Sequence, residues 1–241
     1  MPRFGLARVL SKLGVCSRSQ AEQWIRDGRV SVDGHVKHDP QYPVQSDRQQ
    51  VAVDGHPLEA AGKVYVAMNK PRGLIVSAAD EQGRDTIYSR LAAAGLPWLG
   101  PVGRLDKASE GLLLLSNDTV WAAGITAPEN HLDKTYHVQV AGQPDASAID
   151  AMHTGIMDGG DLLTAKRVTL LRAGEKNAWL EVVLDEGRNR HIRRLLAALG
   201  HEVLRLIRVA IGPLALNELA KGEWRRLSTD EVKSLTNVHA D

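Results

Sequence analysis

The sequence predicts an α+β fold in which a small α/β unit precedes a larger domain built on a mixed sheet. Three observations predict it. Helical and strand-like segments are interspersed without a strict βαβ rhythm, two Asp-Gly turn signals follow short apolar runs near the N-terminus, and 241 residues suffice for a small module plus a medium domain. We expect the boundary near residue 60, which gives domains 1–60 and 61–241.

The first sixty residues predict two short helices followed by a small sheet. Apolar residues recur at helical spacing until Gly14, which ends the first helix. Ser17 and Gln20 have the spacing of a capping box and open a second helix, which Gly28 ends. Short strands are expected around the Asp-Gly pairs at 33–34 and 54–55.

The larger domain carries six strand candidates and four helix candidates. The predicted strands are 64–68, 111–115, 136–140, 168–171, 179–184 and 203–209. The predicted helices are 87–94, 119–125, 146–152 and 189–199. Asn189 is the expected cap of the last helix.

Composition excludes several classes of protein. Cys16 is the only cysteine, so the chain forms no internal disulfide and suits a reducing compartment. Apolar runs such as Leu112–Leu115 are too short to cross a membrane, and the N-terminus lacks the apolar core of a signal peptide. No His, Asp or Glu spacing completes a metal site. We therefore expect a soluble, cytoplasmic protein with no membrane partner and no metal.

Basic residues cluster in two stretches, although the net charge is only +1. Residues 1–38 hold seven Lys and Arg residues against three acidic ones, and residues 188–226 hold nine against three. Arg8 and Lys12 lie one helical turn apart and point the same way. Such a face suits a phosphate backbone. Composition alone, however, favours a merely solvated helix face.

A carboxylate precedes a strongly apolar strand in GRLDKASEGLLLLSND, residues 103–118. Gly103 permits an unusual turn and the leucines should be buried, so Asp106 is expected near the low-dielectric edge of a core. A carboxylate there needs a cationic partner to stay ionised. The residues alone leave two alternatives: a reactive group, or a turn cap paired with Arg104 or Lys107.

A second group of cations lies on the predicted helix 189–199. Its apolar side faces inward, whereas Arg190, Arg193 and Arg194 fall elsewhere on the helix. No acidic residue is interleaved, so these arginines can hold a phosphate and one charge partner together. The alternative is again a solvated face.

The N-terminal stretch resembles a known RNA-binding module. LARVLSKLGVCSRSQAEQWIRDGRVSVDGHV, residues 6–36, is similar to the S-four-type domain in its helix, glycine break, Ser-Arg cap, second helix and Gly-Arg-Val turn. This resemblance implies RNA binding but not catalysis. The cations expected to contact RNA here are Arg8, Lys12, Arg18 and Arg29.

A second resemblance is carried by four motifs, in order: NKPRGLIVS (69–77), GRLDKASEGLLLLSND (103–118), KTYHVQV (134–140) and EGRNRHIRRLLAALGHEVLRLIRVAIG (186–212). With these motifs, nearly the whole chain resembles the RsuA/RluB/RluE/RluF family of ribosomal RNA pseudouridine synthases. The family implies a catalytic domain on a mixed, mainly antiparallel sheet and isomerisation of uridine to pseudouridine without cofactor or metal. It also implies ribosomal RNA or a pre-ribosomal particle as the partner.

The same resemblance implies roles for single residues. Asp106 matches the essential aspartate, which attacks C1′, stabilises positive charge there or abstracts a ribose proton. Tyr136, which alone would be read as a core tyrosine, matches the residue that stacks on uracil, and Arg193 matches the arginine that pairs with the aspartate. Further RNA contacts are expected from Arg104, Arg188, Arg190 and Arg194.

One residue departs from the family pattern, and one motif is given no catalytic role. Members often have Gln where this chain has His191, a change that keeps a polar hydrogen-bonding group. The NKPRG motif we interpret chiefly as structural, a strand end and turn, with RNA contact by Lys70 or Arg72 as the less favoured alternative.

The motifs leave the target uridine open. DEQGRDTIY (80–88) and LAKGEWRRL (219–227) resemble large-subunit enzymes more than the small-subunit one, so we expect 23S rRNA, with 16S rRNA and transfer RNA as alternatives. A non-catalytic ribosome-assembly factor is the competing class. Such a factor has no need for Asp106, Tyr136 and Arg193 together. We expect a monomer.

Overall fold

The structure is a computed structural model that describes residues 3–77 and 85–236. The chain divides into two compact units. The first contains Met1–Tyr65, Leu91–Pro101 and Leu115–Val120. The second contains Val66–Arg90, Val102–Leu114 and Trp121–Asp241. The division into domains 1–60 and 61–241 stays a prediction.

Two helices and short strands make up the N-terminal part of the first unit. Its elements are β1 (Phe4–Gly5), α1 (Leu6–Lys12), α2 (Arg18–Arg26), β2 (Val30–Val32), β3 (His35–Val36), β4 (Pro43–Val44), β5 (Val51–Val53) and β6 (His56–Pro57). The strands form a sheet of order β3-β2-β5-β6 and a separate β1-β4 pair. Leu6, Leu10, Ile25 and Val30 are fully buried between helices and sheet.

The remaining chain forms one large sheet, a separate two-stranded hairpin and several helices. Its strands are β7 (Tyr65–Lys70), β8 (Gly100–Val102), β9 (Glu110–Ser116), β10 (Lys134–Ala141), β11 (Ile156–Asp158), β12 (Asp161–Leu163), β13 (Arg167–Ala173), β14 (Asn177–Leu184), β15 (Val203–Ile211), β16 (Leu214–Ala215) and β17 (Trp224–Arg226). Its helices are α3 (Thr119–Thr126), α4 (Ala146–Thr154), α5 (His191–Ala198) and α6 (Thr229–Ser234). None of the helices within the described ranges is long and apolar enough to span a bilayer.

The large sheet has the order β13-β14-β10-β15-β9-β7-β17, with β16 beside β15 and β8 beside β9. Strand β15 runs parallel to β9 and antiparallel to β10 and β16. The predicted α+β class and mixed, mainly antiparallel sheet are thus confirmed. Strands β11 and β12 form a separate two-stranded hairpin.

All six predicted strands of the larger domain are present, but two helix predictions need correction. Residues 87–94 form only a 3₁₀ turn over Ile87–Arg90, because Gly95 and Pro97 leave little chain for a full helix. Helix α5 begins at His191, two residues after the predicted cap. Its N-cap is Arg190, in the left-handed region at φ 51° and without a side-chain cap bond.

Alternation along β10 decides which side chains face the core. Val138 and Val140 are fully buried, whereas Gln139 lies on the other face of the strand. Tyr136 belongs to the buried side and pairs across the ladder with Arg208 of β15. The sheet therefore brings a tyrosine and an arginine together from residues far apart in sequence.

The parallel contact between β9 and β15 is unusually close at Gly111. This glycine has φ +102°, and a Cβ there would collide with the carbonyl oxygen of Arg208. Only glycine fits both the backbone conformation and the space. The contact places Arg208 directly beside the strand that follows the Asp106 loop.

Candidate active site

The loop that carries Asp106 connects β8 to β9. Gly103 opens it at φ +75°, and the amide of Ser109 donates to the Asp106 carbonyl at 3.0 Å, closing a turn. The leucines of β9 that follow are almost completely buried. Their burial fixes one end of the loop, so the Asp106 side chain, 41 % exposed, faces outward into an open cavity.

Lys70 anchors this loop from beneath. Its ammonium is completely buried at the end of β7 and donates to the backbone carbonyls of Pro71 (3.2 Å), Asp106 (3.1 Å) and Ser109 (2.8 Å). Burial lowers the pKa of Lys70 to about 8, against the opposing effect of Asp106 and Glu110. These contacts support the interpretation of the NKPRG motif as structural. The sequence analysis did not predict the hydrogen bonds that join this motif to the Asp106 loop.

A cavity of about 260 Å³ opens beside the Asp106 carboxylate. Its walls come from the Asp106 loop, the end of α3, strands β10, β14 and β15, and the start of α5. Six cationic side chains line it: Arg104, Lys134, Arg188, Arg190, Arg193 and Arg208. One acidic loop, Asp185 and Glu186, contributes further carboxylates. The cavity therefore suits a ligand that is itself anionic.

Tyr136 forms part of the cavity wall from the buried face of β10. Leu184 of β14 and Leu206 of β15 also line the cavity, so part of its wall is apolar. An aromatic ring in such a wall presents a flat surface on which a nucleobase can stack. Asp106 and Tyr136, predicted as site residues, thus share one cavity.

Arg190 and not Arg193 makes the ion pair with Asp106 among the described residues. The Nη1 atom of Arg190 lies 3.9 Å from Oδ2 of Asp106. Arg193 instead donates to the carbonyls of Val203 (3.1 Å) and Ala108 (3.4 Å). The direct pairing expected for Arg193 is therefore not formed in this structure. Arg193 still feels the Asp106 charge electrostatically, although burial lowers its pKa.

Two cavity residues were missed by the sequence analysis. Arg208 is buried, and its Nε donates to the carbonyl of Leu112 at 2.7 Å, while its Nη2 finds no acceptor within the described ranges. Lys134 is half-buried, and burial together with Arg208 lowers its pKa. Both belong to quoted motifs: Lys134 begins KTYHVQV, and Arg208 lies near the end of the 186–212 motif. Each is a cation in a strand whose other residues alternate between apolar and polar, and this position was the signal that could have identified it as a site residue.

Arg188 and Arg194, predicted to contact RNA, are held in ion pairs. Arg194 contacts the carboxylates of Asp158 and Asp161, and Arg188 contacts Asp161 and Glu186. Arg104 is exposed at the rim of the cavity. His191, the departure from the family pattern, is buried in the cavity wall, and burial lowers its pKa.

The basic residues of the first unit differ in how much of their charge is free. Arg8 and Lys12 flank the ring of Phe4, at 4.9 and 3.9 Å from its centroid. Arg18 lies 3.7 Å from Glu22, and Arg29 binds Asp54 through two hydrogen bonds. Of these four cations, Arg8 and Lys12 are the two that form no ion pair with a carboxylate within the described ranges.

No group of three or more His, Cys, Asp or Glu side chains across 3–77 and 85–236 is arranged to hold a metal ion. The cavity offers the Asp106 carboxylate, an aromatic ring, several cations and the acidic loop of Asp185 and Glu186. A carboxylate beside an aromatic wall and a basic rim, on a mixed sheet, suits an enzyme that acts on a nucleotide.

Comparison with known proteins gives the family. A model of the RNA pseudouridylate synthase family matches residues 64–198, and a model of the S4 domain matches residues 4–49. The chain belongs to the RNA pseudouridylate synthase family. Asp106, Tyr136 and Arg193 all fall within the matched catalytic segment.

Individual relatives agree along nearly the whole chain. An uncharacterised RNA pseudouridine synthase of Aquifex aeolicus is 37% identical over 237 residues, covering 98% of this chain and 94% of the relative. The ribosomal large subunit pseudouridine synthase B of Bacillus subtilis is 36% identical, covering 95% and 94%. A crystal structure of a pseudouridylate synthase superimposes with a TM-score of 0.67 at 29% identity, covering 98% of this chain and all of that one. The predicted family and enzymatic activity are confirmed.

Proposed function

We propose that this enzyme converts one uridine of ribosomal RNA to pseudouridine, and that the target lies in large-subunit (23S) rRNA. The Asp106 carboxylate, which opens into a cavity with an aromatic wall and a basic rim, carries the proposal. The likeness to the large-subunit synthase of Bacillus subtilis over 95% of the chain supports the choice of subunit.

The reaction conserves every atom. The bond from uracil N1 to ribose C1′ breaks, the base turns, a bond forms from C5 to C1′, and the C5 proton leaves while N1 gains one. No electron is transferred, so the chemistry needs neither a cofactor nor a metal. The uridine must leave its stack, because a stacked base hides C1′ and C5 from a protein side chain.

The site residues fit this chemistry. Asp106 acts at the ribose by attacking C1′, by stabilising positive charge there, or by abstracting a ribose proton. Tyr136 stacks on the uracil. Arg190 lies 3.9 Å from the Asp106 carboxylate, and Arg193 contributes further positive charge near it.

RNA binding is divided between the two parts of the chain. The domain over residues 1–60 holds the RNA through its cations, chiefly the Arg8–Lys12 face, while 61–241 carries the chemistry. Arg104 contacts the phosphate beside the flipped nucleotide from the rim of the cavity. The protein works as a cytoplasmic monomer without a membrane partner.

Tritium release tests this function. Transcripts of both ribosomal RNAs, labelled with tritium at uridine C5, are incubated with wild type, Asp106→Asn and the control Asp150→Asn, an exposed residue of α4. We expect wild type and Asp150→Asn to release about one tritium per 23S transcript, and Asp106→Asn none. Release from 16S RNA alone would move the target to the small subunit.

Binding without release would favour the competing class, a ribosome-assembly factor. In that case no transcript, naked or in a precursor particle, would lose tritium, although filter binding would still detect the complex. Active Asp106→Asn would remove the catalytic role from this residue.

A further inference from the structure

The β11–β12 hairpin presents two carboxylates to helix α5. Asp158 and Asp161 face each other across the hairpin, joined by a Gly-Gly turn in which both glycines have positive φ. Arg194 of α5 enters between them. Its Nε donates to Oδ2 of Asp158 at 2.5 Å and its Nη1 to Oδ2 of Asp161 at 2.9 Å, while its Nη2 donates to the Asp158 carbonyl.

Asp161 also reaches past α5 to the loop before it. Its Oδ1 accepts from Nη1 of Arg188 at 2.7 Å, and the Nε of Arg188 donates to Glu186 at 3.1 Å. One carboxylate thus joins Arg188 and Arg194, which lie on the two sides of the helix start. These two arginines lower the pKa of Asp161, consistent with a carboxylate that stays ionised.

Arg190 lies between these two anchored arginines in a strained conformation. Its φ of 51° is unfavourable for a residue with a Cβ, and no side chain caps the helix there. Such a conformation persists where the surroundings hold it on both sides. In this conformation the Arg190 guanidinium lies 3.9 Å from the Asp106 carboxylate.

We propose that Asp161, with Asp158, is a positioning residue that holds the start of α5 so that Arg190 points at Asp106. The hairpin touches neither the carboxylate nor the apolar wall of the cavity; it acts through Arg188 and Arg194. The inference rests on the role proposed for Asp106. It assigns a function in catalysis to an element outside the four motifs.

A single substitution measures the effect. Asp161→Asn keeps the size of the side chain but weakens its two charge-assisted bonds. On the transcript that wild type modifies, we expect single-turnover tritium release to slow five- to tenfold, with the dissociation constant for RNA within twofold of wild type. Asp150→Asn, which removes an equal charge from exposed α4, controls for altered repulsion of RNA and should keep the wild-type rate.

A double-mutant cycle shows whether the effect passes through Arg190. If it does, Asp161→Asn slows release in the wild-type background but changes it less than twofold when Arg190→Ala is already present. An equal slowing in both backgrounds, or a wild-type rate for Asp161→Asn, overturns the proposal. Arg188→Lys, which keeps the charge but loses the two-sided bond, should show the same dependence on Arg190 if Asp161→Asn folds poorly.

Different results would refute the role proposed for Asp106 and the positioning role proposed for the hairpin. Active Asp106→Asn would refute the role of the aspartate whatever the hairpin does. Inactive Asp106→Asn together with a slowing by Asp161→Asn that is independent of Arg190 would leave that role intact and refute the positioning by the hairpin.

Discussion

The Nζ atom of Lys70 donates a hydrogen bond to the backbone carbonyl of Asp106 over 3.1 Å. A completely buried ammonium therefore holds the main chain of the residue proposed to act on the ribose. Because the same ammonium also binds Pro71 and Ser109, it ties the end of β7 to both ends of the turn. The position of the carboxylate depends on a charge that lies beneath it.

Lys70→Met should impair both stability and activity. The methionine fills the space but leaves buried carbonyls without a donor, and each unsatisfied group costs roughly 1–3 kcal/mol. We expect the free energy of unfolding to fall by about 3 kcal/mol and tritium release to slow at least tenfold at a temperature where the variant is folded. Lys107→Met, an exposed lysine of the same loop, should match wild type in denaturant unfolding and in rate.

Substitutions of the two arginines near Asp106 should differ in their effect on thermal stability. Arg190→Ala removes the 3.9 Å partner of the carboxylate but few buried bonds, so the rate should fall more than tenfold with little change in Tm. Arg193→Ala leaves the carbonyls of Val203 and Ala108 without a donor, so both the rate and Tm should fall. Thermal unfolding and single-turnover release on the same samples make the comparison. An unchanged rate for either variant would remove that arginine from the site.

The Arg8–Lys12 face should account for most of the salt dependence of RNA binding by the N-terminal domain. Replacing both residues with alanine should weaken binding and reduce the slope of log K against log salt by about 1 for each phosphate that the variant no longer neutralises. Arg26 and Arg48 are exposed cations of the same unit, and the paired alanine variant at these positions is the matched control. A slope equal to that of wild type in the Arg8/Lys12 variant would exclude this face.

Glu110 should make stability depend on acid pH. Bonds from Arg205 and Lys221 lower the pKa of this buried carboxyl to about 2, below the value near 4.3 expected in the unfolded chain. Its contribution is therefore complete above about pH 4.3 and is lost as the pH falls towards 2. Because Arg205 and Lys221 are both partly exposed to solvent, we expect their bonds to Glu110 to add on the order of 2 kcal/mol to the free energy of unfolding at neutral pH.

Urea unfolding of wild type and Glu110→Gln between pH 7 and pH 3 measures this contribution. The difference in unfolding free energy should be largest at neutral pH and shrink below pH 4. Glu129→Gln, at an exposed position, is the control for the loss of one carboxylate. A constant difference for Glu110→Gln across the range would mean that packing and not charge is responsible.

Continuous or alternating apolar runs made six strands of the large sheet predictable, whereas β8, β16 and β17, each of two or three residues, were not predicted. A continuous apolar run such as that of β9 predicts a strand buried on both faces. The alternation of β10 predicts a strand with one face in the core. The β11–β12 hairpin was missed because IMDGGDLL is short and half polar, and its pairing depends on α5 more than on its own propensity.

The site could be predicted as a set of residues but not as a set of partners. Asp106 and Tyr136 were found through their motifs, and both line the cavity. Which arginine approaches the aspartate depends on the left-handed turn at Arg190, a conformation that nothing in the sequence Arg-Asn-Arg-His indicates. Lys70 was likewise visible as a residue, whereas its acceptors come from a loop more than thirty positions further on.

The stretch DEQGRDTIY, used to favour the large subunit, lies largely outside the described residues, which resume at Asp85. LAKGEWRRL is described, and its tryptophan begins β17 beside β7. The preference for 23S rRNA therefore depends on the relatives and on the proposed experiment more than on the site.

The close parallel contact of β9 and β15 also constrains how the chain folds. It joins Gly111 to Arg208, nearly a hundred positions apart, and parallel pairing of such distant segments forms slowly because a long loop must close first. The cavity wall containing Arg208 is complete only after this closure. During synthesis, residues 1–60 emerge before the strands that build the cavity, so under the proposed division of labour the part of the chain that holds RNA precedes the reaction centre.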